Sequence, residues 1–579
     1  MRWKILEQAP QKVLDELSEY GEIIAQLLFS RGITTTNQAD EFFFKHQVGF
    51  HDPYTLKGIE KAATTIIGAI KDNKKIFIYG DYDVDGICAT SILFDFLYRK
   101  LGAEVIPHVP NRFTEGYGLN EESLTILKDQ GAELIITVDC GIRDKELVEQ
   151  FSNKGLQFII TDHHTIPEDE KGKQIVPDRA ESIVHPKLST SDYPFPEICG
   201  TTVAWKLLVV LSEHAKHKQM LDDNFDPDAY LDLVALATVC DLMPLQDENR
   251  LIVKRGLDQM RQTVNRGLAG LLDFLEITPA ELRTYHLGFV IGPRLNASGR
   301  IEHALDGVRL LTTNNEQAIR ELVVKLNDLN VYRQQITKQL VEEAEAMVTE
   351  TELNHKLLFL VGDEWPDGVV GLVASKIVEK YSRPVLIASN DDGVVKGSAR
   401  SIPPFNVTEA ISEFSNLLDR FGGHSQAAGF TFQHSHYDEF KSGLQQYANK
   451  LLTEEDLIPE IEVEMELKPE HINFDLINEI LLMEPFGYQN KTPIFLFSDV
   501  NVVSAKLVGK DSSHLSLSVD VGGLEIRCIG FNKKDLFNIA EQSAKIDMIG
   551  NLDINHWNGS QYLQIRIKDI KPHESDKKS

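Results

Sequence analysis

The stretch KIFIYGDYDVDGICAT (75–90) decides the fold of the first half of this chain. An apolar run is followed by Asp81, Asp83 and Asp85, and Gly86 then opens an apolar segment with helical periodicity that extends to Gly102. This order predicts a buried strand, a tight acidic turn and a helix. Alternate carboxylates in such a turn can converge on one hard cation, although an isolated turn of this kind is equally compatible with a capped, solvated turn.

The same alternation of strand and helix continues beyond the acidic turn. AEVIPHV, ESLTILKDQG, ELIITVD, KELVEQFSNKG and QFIITD read in turn as strand, helix, strand, helix and strand. Short connections between such elements predict a parallel, doubly wound sheet. In sheets of this class, ligands bind beyond the carboxyl ends of the strands.

Polar side chains follow three of these strands at the point where each strand ends. Besides the aspartates of the turn, Asp139 follows one strand, and Asp162, His163 and His164 follow the next. An apolar helix, VALATVC, ends at Asp241, where a bare carboxylate is costly unless it is paired or bound to a metal ion. A histidine pair taken alone is more often structural. Arrival of all these groups at one sheet edge favours a metal cluster.

The composition of the chain argues against several classes of protein. The formal net charge is −29, which argues against nucleic-acid binding unless a local basic groove exists. The five cysteines are scattered without a CxxC pair, which argues against a disulfide framework or a zinc ribbon and fits a reducing cytoplasm. Neither a membrane-spanning apolar stretch nor a secretory signal is evident, so we expect a cytoplasmic protein with no membrane partner.

The hydrophobic pattern divides the whole chain into five predicted segments. We predict an α/β protein that combines a doubly wound parallel-sheet domain, a long linking helix, a second smaller α/β domain and a C-terminal OB-like β-barrel. In the second α/β domain, the last helix is predicted over NVTEAISEFSNLLDRFGG (406–423). The predicted segments are an N-terminal helical segment (1–50), the parallel-sheet domain (51–310), the linking helix (311–354), the second α/β domain (355–455) and the barrel (456–579).

Several motifs together resemble a known family. GDYDVDG, VDCG, DHH and CDLMPL resemble, in order and spacing, the four motifs of the DHH phosphoesterases. Further stretches resemble the RecJ exonucleases within that family, and the resemblance covers nearly the whole chain. These stretches are PNRFTEGYGL (110–119), IGPRLNASGRI (291–301), KGSARS (396–401), FGGHSQAAG (421–429), MEPFGYQNKTPIF (483–495) and NHWNGSQYLQI (555–565).

The resemblance implies roles for the residues at the sheet edge. Two divalent ions, Mn²⁺ or Mg²⁺, would be held by Asp83, Asp85, Asp139, His163 and Asp241. Asp139 would bridge the ions, and Asp81 would support the ligands from outside. His164 would face the scissile phosphate, and Asp162 would orient a histidine, so that the catalytic residues would be His164, Asp139 and Asp162.

Substrate contacts are also implied by the resemblance. The predicted nucleic-acid-binding residues are Arg112, Tyr117, Arg294, Asn296, Arg300, Ser398, Arg400 and His424. In the barrel, Phe495, His514 and Trp557 are candidate base contacts, although packing in the barrel core is the preferred interpretation of each. The chain departs from the family pattern at Tyr79, His185 and Pro366.

The implied activity is hydrolysis of single-stranded DNA from the 5′ end to mononucleotides by two-metal-ion catalysis, in DNA recombination and repair. Single-stranded DNA would be the substrate, and a repair helicase and single-strand-binding protein are possible partners. One alternative is a DHH phosphoesterase for oligoribonucleotides or small phosphate esters, although such a substrate does not require the extra barrel. The other is a non-catalytic replication scaffold, which predicts lost metal ligands, whereas here all of them are present.

Overall fold

The computed structural model describes residues 1–44, 49–112, 115–557 and 559–573. The chain forms two compact units. We call Phe50–Pro244 with Glu248–Ile458 the central unit, and Met1–Gly49 with Leu245–Asp247 and Pro459–Ser579 the terminal unit. Within the described residues, no helix is both long and apolar enough to cross a membrane.

The first sheet of the central unit has five strands, all parallel. Their order across the sheet is Val105–His108, Ile76–Gly80, Leu134–Val138, Gln157–Thr161 and Ser182–Val184. This arrangement confirms the predicted doubly wound sheet. The chain leaves Ile76–Gly80 on one side and returns on the other, so a crevice opens at the carboxyl ends of Ile76–Gly80 and Leu134–Val138. The aspartate turn and Asp139 follow these two strands.

Helices cover this sheet, and its central strands are therefore buried along their whole length and mostly apolar. Phe77, Ile135 and Phe158 pack in one cluster with the helices Glu121–Asp129 and Lys145–Asn153. The helices Val84–Phe94 and Gly200–His217 also pack on the sheet. The further α-helices of this part are Ile59–Lys71, Leu231–Cys240, Asp247–Met260, Arg266–Phe274, Thr284–His286, Gly292–Ile301 and Leu305–Thr312.

The linking helix, Glu316–Met347, has 32 residues. The side chain of Asn315 caps its start by accepting hydrogen bonds from the backbone N–H groups of Gln317 and Ala318. The helix packs against Gly292–Ile301 and against Asp367–Tyr381, so it contacts both α/β parts of the central unit.

The second sheet has the strand order Arg420–His424, Ala427–Gln433, Val394–Arg400, Val385–Asp391 and Leu358–Asp363. Only the last two are parallel to each other. The α-helices here are Glu350–Leu353, Asp367–Tyr381, Val407–Ser412 and Tyr437–Leu451. The helix predicted over 406–423 was wrong in its second half: it ends at Ser412, and Arg420–His424 forms a strand. Antiparallel pairing with Ala427–Gln433 outweighs the local helical pattern.

A five-stranded barrel dominates the terminal unit. Its strands follow one another around the barrel as Phe495–Val508, His514–Val521, Leu524–Gly530, Ser560–Pro572 and Lys545–Trp557. The last strand pairs with the first and closes the barrel, which confirms the predicted OB-like fold. Met465–Glu466 extends the sheet, and the helices Phe474–Leu482 and Phe537–Gln542 belong to the same unit.

The N-terminal segment contains more than the helices predicted for it. The helices Gln11–Glu16, Glu22–Phe29 and Thr36–Phe42 are present. Before them, the strand Arg2–Ile5 pairs in parallel with Glu460–Val463. Local sequence does not reveal this strand because its partner lies at the other end of the chain.

Candidate metal centre

Hydrogen bonds between a side chain and the backbone stabilise the aspartate turn. The carboxylate of Asp83 caps the helix Val84–Phe94 by accepting hydrogen bonds from the N–H groups of Asp85 (2.9 Å) and Gly86 (3.2 Å). A Cβ atom at Gly86 would lie 2.4 Å from the carbonyl oxygen of Asp81, so only glycine fits there. The turn therefore presents Asp81, Asp83 and Asp85 at the end of the strand.

Asp139 sits directly beyond the neighbouring strand in an unusual backbone conformation. Its φ angle is +62°, in the left-handed region that costs a non-glycine residue on the order of 1 kcal/mol. Such strain is found where surrounding structure dictates the position of a functional side chain.

His163 lies at the centre of the carboxylates. Its Nε2 atom is 3.2 Å from Asp139 Oδ1, 3.6 Å from Asp241 Oδ2 and 3.7 Å from Asp85 Oδ2. Three groups of residues have ligand atoms within 4.8 Å of one another: Asp139, His163 and His164; Asp85, His163 and Asp241; and Asp81, Asp83 and Asp139. Because Asp139 belongs to two of these groups, it could be shared by two neighbouring ions. The structure thus brings together all five predicted metal ligands, and Asp81 and His164 with them.

The electrostatics of this cluster fit a divalent cation. Burial, followed by repulsion from Asp85, raises the pKa values of the Asp139 and Asp241 carboxyls well above their usual range. Burial lowers the pKa of His163 to about 4, which keeps its imidazole neutral at physiological pH. Asp139 Oδ1, Asp241 Oδ2 and both ring nitrogens of His163 are buried without a hydrogen-bond partner. Carboxylates and neutral imidazole form a donor set that suits Mn²⁺ and also accepts Mg²⁺.

Asp162 positions His163 and His164 through hydrogen bonds. It accepts hydrogen bonds from the backbone N–H groups of His163 (2.7 Å), His164 (3.1 Å) and Ile142 (3.0 Å). Its Oδ1 atom is also 2.8 Å from His164 Nδ1. Burial opposes ionisation of Asp162, but the His164 imidazole lowers the pKa of this carboxyl; in return Asp162 raises the pKa of His164 against the effect of burial. The arrangement favours a cationic His164.

Tyr117 contacts the ring of His164, and His185 contacts its backbone. The hydroxyl of Tyr117 lies 2.9 Å from His164 Nδ1, so its polar end faces the histidine. His185 is buried, and its Nε2 donates to the carbonyl oxygen of His164 (2.9 Å) while its Nδ1 accepts from the N–H of Lys187 (3.0 Å).

The start of the helix Gly200–His217 supports the metal centre, a role that we did not predict from the sequence. The carboxylate of Asp85 accepts hydrogen bonds from the N–H groups of Gly200 (2.6 Å) and Thr201 (2.7 Å). A Cβ atom at Gly200 would lie 2.6 Å from Asp139 Oδ1. In the sequence, glycine at the start of an apolar helix is too common to indicate this contact.

Four of the predicted substrate-binding side chains lie near the aspartate turn or the second sheet. The Arg112 guanidinium is 4.6 Å from the ring centroid of Tyr82. Arg300 donates to the carbonyl oxygen of Gly368 (3.1 Å), and Arg400 donates to Ser398 Oγ (2.9 Å). Burial, followed by repulsion from Arg112, lowers the pKa of Arg300 to about 9. These guanidinium groups are therefore close enough to repel one another.

The other predicted substrate contacts differ in their surroundings. Arg294 donates to the carbonyl oxygen of Val290 (2.7 Å). The side-chain oxygen of Asn296 accepts from the N–H of Val84 (3.1 Å), so this residue also supports the aspartate turn. His424 is exposed on its strand.

Two of the residues that depart from the family pattern, and the candidate base contacts of the barrel, lie in the following surroundings. Tyr79 is buried, and its hydroxyl donates to the carbonyl oxygen of Gly118 (3.1 Å). Pro366 precedes the helix Asp367–Tyr381. Phe495 is wholly buried in the barrel core, so packing is correct and base contact is wrong for this residue. His514 is half-buried, and the side chain of Trp557 lies outside the described residues.

Models of three protein-domain families match successive parts of the chain. They are the DHH family N-terminal domain (75–238), the DHHA1 domain (354–450) and the RecJ OB domain (463–569).

Relatives match over almost the full length. The chain is 38% identical over 573 residues to the single-stranded-DNA-specific exonuclease RecJ of Bacillus subtilis, covering 98% of this chain and 70% of the relative. It is 31% identical to the RecJ protein of Escherichia coli, covering 96% of each. The crystal structure of Thermus thermophilus RecJ in complex with Mn²⁺ has a TM-score of 0.81 and 29% identity, covering 98% of this chain and 79% of that one. A Mg²⁺ complex of the same protein has a TM-score of 0.77. Together with the cluster of carboxylates and imidazoles at the sheet edge, these matches show that the chain belongs to the RecJ family.

Proposed function

We propose that this protein is a single-stranded-DNA exonuclease that digests its substrate from the 5′ end to mononucleotides in DNA recombination and repair. The observation that carries the proposal is the convergence of Asp83, Asp85, Asp139, His163 and Asp241 at one sheet edge. The guanidinium groups of Arg112 and Arg300 lie near the same aspartate turn. The substrate and the direction of digestion come from the family.

The five convergent residues would hold two divalent ions, Mn²⁺ or Mg²⁺. Bound there, such ions activate water and stabilise the charge that develops on a phosphoryl group. Asp139 would contribute to both positions, and Asp81 would support the ligands around it. The helix start at Gly200 and Thr201 keeps the Asp85 carboxylate in place.

His164 would act on the scissile phosphate. Held by Asp162, its imidazole can, when protonated, donate a hydrogen bond to a phosphate oxygen and neutralise part of its charge. Tyr117 would restrict the rotation of the ring, because its hydroxyl group also lies at His164 Nδ1. The catalytic residues would thus be Asp139, Asp162 and His164.

Substrate phosphates would lie against the basic side chains of the central unit. Arginine suits this task because its planar donors match phosphate oxygens in a bidentate manner. We assign contacts with the DNA backbone to Arg112, Tyr117, Arg294, Asn296, Arg300, Ser398, Arg400 and His424.

The segments would divide the work. Residues 51–310 would carry the metal centre, 355–455 would bind substrate phosphates, and the barrel in 456–579 would bind single-stranded DNA, as OB-folds commonly do. All five cysteines are free, which agrees with a cytoplasmic location. A repair helicase and single-strand-binding protein are the partners that this activity would call for.

Digestion of end-labelled DNA tests the proposal. With Mn²⁺, the protein should release mononucleotides from the 5′ end of single strands and should leave duplex DNA and RNA largely intact. Asp139→Asn should lose this activity while unfolding at a temperature close to that of wild type in EDTA. Cleavage of short RNA alone would favour a small-substrate phosphoesterase, and no cleavage of any strand would favour a scaffold.

A further inference from the structure

The linking helix carries a guanidinium group whose environment is that of a ligand-binding residue. Arg333 lies near the middle of Glu316–Met347, and its Nε atom is buried without any acceptor. One terminal N–H group donates to the side-chain oxygen of Asn330 (2.9 Å), which is itself buried. A charged donor withdrawn from water and left without an acceptor is unfavourable unless a ligand supplies the missing acceptor.

Arg333 faces other arginines rather than carboxylates. Its helix packs against Gly292–Ile301, which carries Arg294 and Arg300. Burial and then Arg294 lower the pKa of Arg333, and Arg333 in turn contributes to the lowered pKa of Arg300. Among the described residues, no carboxylate forms an ion pair with Arg333, Arg300 or Arg294. Like charges gathered without an ion pair between them favour the binding of an anion.

The rest of the helix behaves differently. Arg320 is highly exposed and lies 3.8 Å from the carboxylate of Glu316, one turn earlier. Lys325 forms ion pairs of 2.7 Å with Glu302 and Asp306. Arg333 is therefore distinguished from the other cations by both burial and the absence of an acid partner.

We infer that Arg333 is a further substrate-binding residue that contacts a phosphate of the DNA backbone, so that the linking helix forms part of the substrate groove. The inference rests on the proposed function, since single-stranded DNA is the ligand that would supply the phosphate. The residue acts through charge and hydrogen bonding to the strand and not through the reacting atoms.

The salt dependence of KM tests this inference, because a residue with a purely structural role would not change it. We would measure kcat and KM for digestion of a single-stranded thymidine oligonucleotide with Mn²⁺, between roughly 50 and 200 mM salt. Arg333→Met keeps the apolar stem and removes the charge. It should raise KM about tenfold, the effect expected of one charge-assisted hydrogen bond, with kcat unchanged. The slope of log KM against log salt concentration should fall by about 0.7, the value for one phosphate contact with a single strand.

Matched variants separate the possible outcomes. Arg320→Met, on the same helix, should leave KM and its salt slope unchanged. Arg333→Lys should retain the salt slope because it keeps the charge. A wild-type salt slope in Arg333→Met, with wild type active, would overturn the inference alone. A wild type that digests no single strand would remove the proposed function and the inference with it. In EDTA and without DNA, Arg333→Met should unfold at or above the wild-type temperature, because it removes an unsatisfied buried donor. A higher KM in this variant then reports weaker binding and not a damaged fold.

Discussion

Replacing Gly200 by alanine should damage the metal centre without unfolding the protein. The added Cβ atom would lie 2.6 Å from Asp139 Oδ1, 2.7 Å from its Cβ and 2.9 Å from its Cα. Non-bonded carbon atoms prefer separations of about 3.5–4.0 Å, so the clash requires a shift of about 1 Å. The backbone of Asp139 is already in the left-handed region, which makes such a shift difficult to absorb locally.

The size of the effect follows from this displacement. Changes to groups that support a metal ligand typically cost about 10- to 100-fold in metal affinity. A misplacement of about 1 Å at a catalytic group costs about 100-fold in rate. Overpacking should cost about 1–3 kcal/mol of unfolding free energy. Removing a glycine from a helix returns about 0.5–1 kcal/mol, so the fold should survive.

Calorimetric titration with Mn²⁺, together with the electron paramagnetic resonance signal of the bound ion, measures this prediction directly. Thermal unfolding in EDTA reports on the fold separately. Gly68→Ala is the matched control, because Gly68 is helical and a Cβ atom there would meet nothing within 4 Å. Wild-type Mn²⁺ affinity in Gly200→Ala would refute the reasoning, and so would an equal loss in Gly68→Ala.

Two further predictions concern pH. Burial raises the pKa of Asp232 to about 6, although Leu233 and Thr263 donate hydrogen bonds to this carboxyl. Because the folded pKa exceeds the unfolded value of about 3.9, the ionised carboxylate destabilises the fold by about 3 kcal/mol near pH 8 and about half of that near pH 5. Asp232→Asn should therefore gain more stability at pH 8 than at pH 5 in denaturant titrations, and an equal gain at both would contradict this account. Since burial and mutual repulsion raise the pKa values of Asp139 and Asp241, protons compete with the metal, and Mn²⁺ affinity and activity should fall below about pH 6. A flat profile between about pH 5 and 8 would argue against the proposed ligands.

Much of the architecture could be predicted because its signals are local. The apolar run before Asp81 and the regular alternation of strands and helices predict a parallel sheet, and parallel strands deliver their carboxyl ends to one edge. The sequence therefore groups Asp139 with His163. The roles of these residues and the segment boundaries stay predictions.

Elements whose conformation depends on strand pairing could not be predicted in this way. The strand Arg2–Ile5 exists because Glu460–Val463 pairs with it, and Arg420–His424 is a strand because Ala427–Gln433 pairs with it. In the second case the partner strand is the other arm of a tight hairpin, and its ladder of backbone hydrogen bonds outweighs the helical pattern. Local propensity is a weak guide wherever such pairing decides the conformation.

Neighbouring residues alone specify the parallel sheet, the acidic turn and the residues at the sheet edge, because they carry the hydrophobic periodicity and set the direction of each strand. Packing between distant segments brings the helix start at Gly200 to the Asp85 carboxylate and brings Asn296 to the aspartate turn. The same packing places Arg333 of the linking helix close enough to Arg300 to lower its pKa. The physical reason is that these contacts depend on the packing of helices far apart in the chain, and the periodicity of each helix shows which face is buried but not which partner it meets.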